Sequence, residues 1–158
     1  MAQTDQKPEM LRHTVATVAY RGAKAVRGAP SQFAEFKGAE KTPAQILAHI
    51  GDLLDWALSM AKGKMEWHDS SPKPWEQEVQ RFFATLKAFD DYLASPQPLH
   101  ESPEKLFQGP IADALTHVGQ IAMLRRLAGF PMKGENYFVA AVAVGRVGPE
   151  QNPPKKEF

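Results

Sequence analysis

The sequence predicts an all-α fold, a four-helix bundle. Three observations point there. Apolar residues recur at three- and four-residue steps in four separate segments. One of these opens on a capping-box signature, Thr42-Pro43-Ala44-Gln45. Nothing outside them reads convincingly as strand.

The first helix is expected from about Pro8 to Val26. Leu11, Val15, Val18, Gly22 and Val26 make one apolar stripe, and Gly28-Ala29-Pro30 ends it. The second starts with Thr42 as N-cap, Pro43 at the first helical position and Gln45 at the reciprocal capping position. Its apolar set is Ile46, Ile50, Leu53, Leu54, Ala57 and Trp56, and it should stop near Lys62-Gly63. The third follows Pro74. Trp75, Val79, Phe82, Phe83, Leu86, Phe89 and Leu93 form its buried face, and Ser95-Pro96-Gln97-Pro98 closes it. Ser102-Pro103-Glu104 can start one short turn, which Gly109-Pro110 should interrupt. Pro110 then opens the fourth helix, which runs to about Ala128 with Gly129 as its stop. Arg125 and Arg126 fall in its last turn, where the helix dipole favours cations. The stretch from Asn136 to Val144 is Ala/Val-rich, and short helix and strand stay open there.

The 158 residues suit one domain over 1–158, with a bundle core from about 8 to 131. Residues 132–158 are then a C-terminal extension, and GPEQNPPKKEF should be a loosely held tail. There are no cysteines, which excludes disulfides, thiolate metal sites and a cysteine nucleophile. Nineteen Lys and Arg against eighteen Asp and Glu leave a formal charge of +1, with no footprint for nucleic acid and no basic amphipathic stretch for a membrane surface. No segment approaches the ~18 uninterrupted apolar residues that span a bilayer. The opening MAQTDQKPEM carries no apolar signal core, so the expected location is cytoplasmic.

The chemistry is expected where polar residues break the apolar stripes. On a wheel of roughly 100° per residue, Asp113 and His117 lie inside the edge of the fourth helix's apolar arc, four residues apart on one face. His49 repeats the anomaly on the second helix, with Ile46 three residues before it and Leu53 four after. Such groups are costly in a core unless paired. Two imidazoles and a carboxylate can hold one divalent ion, Zn, Ni, Fe or Mn, and leave coordination positions open for water or substrate. A plain reading stands beside this one: Asp113 can bond His117 or His49 directly, with no metal. His13, His68 and His100 read as solvated surface residues. There is no G-x-S-x-G elbow, P-loop or G-x-G-x-x-G, and Gly145-Arg146-Val147-Gly148 is too weak to bind phosphate. Trp75, Phe82, Phe83 and Phe89 are expected in the core.

Two segments carry a family resemblance. Leu47-Ala48-His49-Ile50-Gly51-Asp52-Leu53-Leu54-Asp55-Trp56 resembles the ligand-bearing second helix of the DinB-like superfamily. Asp113-Ala114-Leu115-Thr116-His117-Val118-Gly119-Gln120-Ile121, with Leu124-Arg125-Arg126-Leu127-Ala128-Gly129 behind it, resembles that family's H-x-x-x-H-R-G-Q-[IL] helix and its trailing L-R-x-x-G. The resemblance covers about His13 to Pro131. It implies an up-down-down-up four-helix bundle, often a homodimer, with one divalent metal ion held by His49, Asp113 and His117. Asp113 stands where the family usually has histidine, which turns three His into two His and one carboxylate. Val118 stands where it usually has arginine.

By this resemblance the chain is a metal-binding DinB-like protein. Its leading function is a metal-dependent enzyme acting on a small-molecule substrate, with a low-molecular-weight thiol activated at the metal in a thiol S-transferase reaction. A metal-dependent hydrolase uses the same ligands, and fold analogy alone does not choose between them. The second class of function is a non-catalytic, metal-stabilised, stress-related interaction protein. A vestigial, empty site is the third. The sequence names no general base.

Overall fold

The computed structural model describes residues 7–158, and the described chain is all-helical with four long helices. Helix α1 spans Lys7–Val26, α2 Pro43–Ala61 and α3 Trp75–Ala94. A short α4, Pro103–Leu106, passes through a π turn, Phe107–Ile111, into α5, Ala112–Leu127. The described residues hold no named strand, only an isolated antiparallel bridge between Glu135 and Glu157. No helix among them is long and apolar enough to cross a membrane.

The start of α2 is the one its sequence prescribes. Gln45 N–H donates to Thr42 Oγ1 at 3.3 Å, and Thr42 N–H donates to Gln45 Oε1 at 2.9 Å. The two side chains thereby satisfy two amides that the helix cannot. The fourth helical region departs from expectation. Ser102 caps α4 by accepting from Lys105 N–H, and the chain stays helical through Gly109-Pro110 rather than starting afresh. Pro110 has no N–H, and in a regular α-helix its ring would strike the carbonyl four residues back. The wider π turn around it removes both conflicts.

Pairwise contacts fix the sense of the helices. Arg12 on α1 binds Asp90 on α3 through two bonds of 2.9 Å, while Gly22 meets Phe82, so α1 and α3 run antiparallel. A Cβ at Gly22 would overlap the Cζ edge of the Phe82 ring, and glycine is what lets these two helices close. Arg81 on α3 reaches Asp52 and Asp55 on α2, and Lys62 just past α2 lies over the Tyr92 ring near the end of α3, so α2 and α3 run parallel. His49 near the start of α2 meets His117, whereas Ala61 at its end accepts from His100 N–H, so α2 and α5 run antiparallel. Near the end of α5, Arg125 donates to the carbonyls of Ala25 at 2.9 Å and Arg27 at 2.7 Å, so α1 and α5 run parallel. Arg125 was expected to offset the dipole of its own helix. It is buried and instead satisfies the last carbonyls of α1.

The core lies between these four helices. Val15, Val18, Ile50, Leu54, Phe82, Leu86, Phe89, Ile111 and Ile121 are buried in it, as the stripes require. A 3-10 turn, Ser31–Glu35, adds Phe33, whose ring meets Trp75 edge-on at 5.5 Å. Asn136 to Val144 forms neither of the elements left open for it beyond a 3-10 turn at Tyr137–Val139. The C-terminal segment is not loosely held. Asn136 N–H donates to Lys156 O at 3.0 Å, Phe158 N–H to Gly134 O at 2.9 Å, and Asn152 Nδ2 to Ala141 O at 2.8 Å. Lys24 on α1 gathers the carboxylates of Glu135 at 2.6 Å and Glu157 at 3.1 Å, and the Tyr20 hydroxyl donates to Glu135. Composition pointed to a loosely held tail, but three backbone-directed bonds and one bridging cation hold it.

Candidate metal centre

His49 stands on α2 between the buried Ala48 and Ile50, turned toward α5. Asp113 and His117 stand one turn apart on α5, beside the buried Ala114 and Val118. The structure brings all three together, with one donor atom from each lying within 4.8 Å of the others. Asp113 Oδ2 is 3.7 Å from His49 Nε2, Asp113 Oδ1 is 3.5 Å from His117 Nε2, and the imidazole centroids are 4.7 Å apart.

These separations bear on the plain alternative. A direct carboxylate–imidazole bond closes to about 2.7–3.2 Å, and neither pair does. Donor atoms bound at about 2.0–2.2 Å around a tetrahedral ion stand roughly 3.4 Å apart. The three groups have a spacing that could hold one ion, and both imidazoles also stay within ion-pair distance of the carboxylate. They are also less buried than their wheel positions imply: 27% of the His49 side chain is exposed, 47% of Asp113 and 19% of His117. The cluster lies at the rim of the α2–α5 seam, where partial exposure lowers the cost of an unpaired charge.

Protonation favours metal binding. Burial, reinforced by the neighbouring His117, lowers the pKa of His49 against a partial offset by Asp113, which leaves its imidazole neutral at neutral pH. Gln120 Oε1 lies 2.7 Å from His117 Nδ1. In the tautomer with Nδ1 protonated, Nδ1–H donates a hydrogen bond to that carbonyl oxygen and Nε2 keeps its lone pair on the side of Asp113. This is how protein groups outside a metal's ligand set orient a ligating imidazole.

The surroundings leave the cluster open on two sides. Beside His117 runs a groove of about 370 Å³ with Ile46, Met123, Leu124 and Leu127 along it and Lys41 at its border. Beside His49 lies a polar cleft of about 210 Å³, again bordered by Lys41 and reaching Gln45 and Ser70. No fourth His, Asp or Glu joins the cluster among the described residues. Trp67 covers part of the remaining side, edge-on to His49 at 5.7 Å and to Trp56 at 5.7 Å.

A set of α2–α3 contacts builds that wall. The Asp52 carboxylate accepts from Ser70 N–H at 2.8 Å, Ser70 Oγ at 2.7 Å and Arg81 Nη2 at 2.5 Å. Arg81 also reaches Ala48 O at 3.1 Å, and Gly51 leaves room for its guanidinium. Asp52 thus ties the loop carrying Trp67 to the turn after His49. Sequence reasoning gave no role to Gln120, Asp52, Arg81 or Trp67. Gln120 was findable, three residues beyond His117 on the same helix face. Trp67 lies in a loop whose path has no periodic signal. His13, His68 and His100 are exposed and outside the cluster, as expected, and Val118 is buried in the core.

Compared with known proteins, the chain matches no family model, and neither the curated proteins nor the solved structures give a match. Its class is therefore defined by fold and site: an all-helical protein of four long helices with a His/Asp cluster that could hold a metal ion.

Proposed function

We propose that this chain is a DinB-like metal-binding protein in which His49, Asp113 and His117 hold one divalent ion, and that it is a metal-dependent enzyme acting on a small molecule. The observation that carries this reading is the convergence of three nitrogen and oxygen donors at the edge of an open groove. Helix sense supports the family part of it: α1 and α5 run one way, α2 and α3 the other, the up-down-down-up order the resemblance implies. Zn, Ni, Fe and Mn all accept this donor set. A bound ion supplies Lewis acidity that lowers the pKa of a thiol or water at its open position.

The chain's own residues do the rest. Gln120 holds the His117 ring, Trp67 screens the His49 side, and Leu124 and Leu127 line the groove where an apolar group would rest. With no cysteine in the protein, a reacting thiol comes from a small molecule. Thiol transfer is the leading reaction that the resemblance implies, and hydrolysis at the same ligands is its alternative. The test is a screen of metal-loaded protein with glutathione, bacillithiol and mycothiol against a general electrophile. Activity lost on chelation and restored by metal is expected, and activity indifferent to chelation overturns the mechanism. The non-catalytic reading rests on the same cluster, and His117→Ala separates the two. A catalytic ion predicts a modest loss of thermal stability in that variant, whereas a structural ion predicts global unfolding.

A further inference from the structure

The two clefts that flank the cluster share one residue. Lys41 borders the apolar groove beside His117 and also the polar cleft beside His49. It precedes the Thr42 N-cap of α2, is exposed, and makes no hydrogen bond or ion pair among the described residues. The two carboxylates of the polar cleft differ in this respect, whereas Glu40 in the groove is engaged no more than Lys41 is. Asp52 is engaged by Ser70 and Arg81, and Asp69 accepts from the Trp67 indole. Glu40 lines the same groove as Lys41 and is the one carboxylate that opposes it there. The remainder of that groove is mainly apolar, through Ile46, Met123, Leu124 and Leu127. A cation at the border of an apolar trough suits a molecule with an anionic end and an apolar body, since a few placed polar groups fix orientation while apolar walls supply area.

The geometry points to Lys41 as the anchor for a carboxylate on the small molecule that this site takes, with the apolar part of that molecule lying along Ile46 and Leu124 toward the cluster. The inference rests on the metal-dependent reading above and names its substrate class: a small organic acid with an apolar chain, or a thiol that carries a carboxylate. Lys41 is close enough for its charge to act on His49, and it is a specificity residue in this proposal because it would meet the ligand's carboxylate and not the reacting atoms. A lysine presents a point charge, so the preference is for charge over shape.

The experiment compares 6-mercaptohexanoic acid with 6-mercaptohexanamide, which differ only at the end that Lys41 would meet. Dissociation constants are measured by calorimetry on zinc-loaded and metal-free protein, for the wild type, Lys41→Gln and Glu40→Gln. Zinc content is determined on the same samples. We expect the acid to bind about three- to tenfold tighter than the amide, as an exposed ion pair gives. That ratio should collapse toward one in Lys41→Gln and rise in Glu40→Gln, with zinc content unchanged in both. It should also fall as salt is raised. Equal binding of acid and amide by the wild type, or a ratio that survives Lys41→Gln, overturns the anchor. Failure of the wild type to take up zinc overturns the metal reading instead, and the acid-to-amide ratio of the metal-free protein still decides the anchor.

Discussion

At the scale of the residue, the site depends on which atoms remain free to bind. Gln120 lies at hydrogen-bond distance from His117 Nδ1, which leaves Nε2 on the Asp113 side, and burial together with His117 lowers the pKa of His49. Gln120→Ala should therefore weaken metal affinity about tenfold or more, the usual effect of losing a group that orients a ligand, with little change in fold because Gln120 is exposed. Competition with a chelator measures it, and an unchanged affinity would show that the bond orients nothing. His49, Asp113 and His117 were legible in the sequence because each interrupts an apolar stripe at a helical spacing. Their half-exposed setting was not legible. A wheel places a side chain relative to its own helix and says nothing of how far the neighbouring helix covers it.

At the scale of the element, the two helix joints explain more than any single segment. Gly22 permits α1 to touch Phe82, and Gly22→Ala should destabilise the protein by about 1–3 kcal/mol through overpacking, read from urea unfolding midpoints. The Asp52–Arg81 joint should show itself in acid. Burial raises the Asp52 pKa, but its bonds from Ser70 and Arg81 outweigh burial and hold it below the ordinary carboxylate value. A depressed pKa in the folded state adds stability above the unfolded value of about 3.9, and that stability is lost as pH falls through the folded value. Wild-type stability should thus fall below about pH 4, and Asp52→Asn should lose most of that part of the slope while being less stable at neutral pH. A slope unchanged in the variant would remove Asp52 from the account. This joint was not legible because partners from two helices meet only after packing. The π turn escaped for a different reason: Pro110 was weighed as a helix start, and the wider turn that accommodates it leaves no sequence mark.

At the scale of the whole molecule, the stripes on α1, α2 and α3 made the all-helical class readable, and the capping box at Thr42 fixed one boundary. The C-terminal segment was misjudged because Pro and charge suggest freedom, while Lys24, Glu135 and Glu157 are far apart in sequence and meet only in the fold. The parallel sense of α1 and α5 was implied by the resemblance, but the contact that carries it, Arg125 on the last α1 carbonyls, was not legible, because a cation in the last turn of a helix reads first as a partner of its own dipole. What unites these observations is a bundle whose α2–α5 seam carries a three-donor cluster between two clefts. The most direct test is elemental analysis of protein purified without a metal-affinity tag, alongside the His117→Ala variant. We expect close to one equivalent of a divalent transition metal in the wild type, or uptake of one on addition, and little in the variant. A wild type that neither contains metal nor gains thermal stability when metal is added, or a variant that retains the same content, would contradict it.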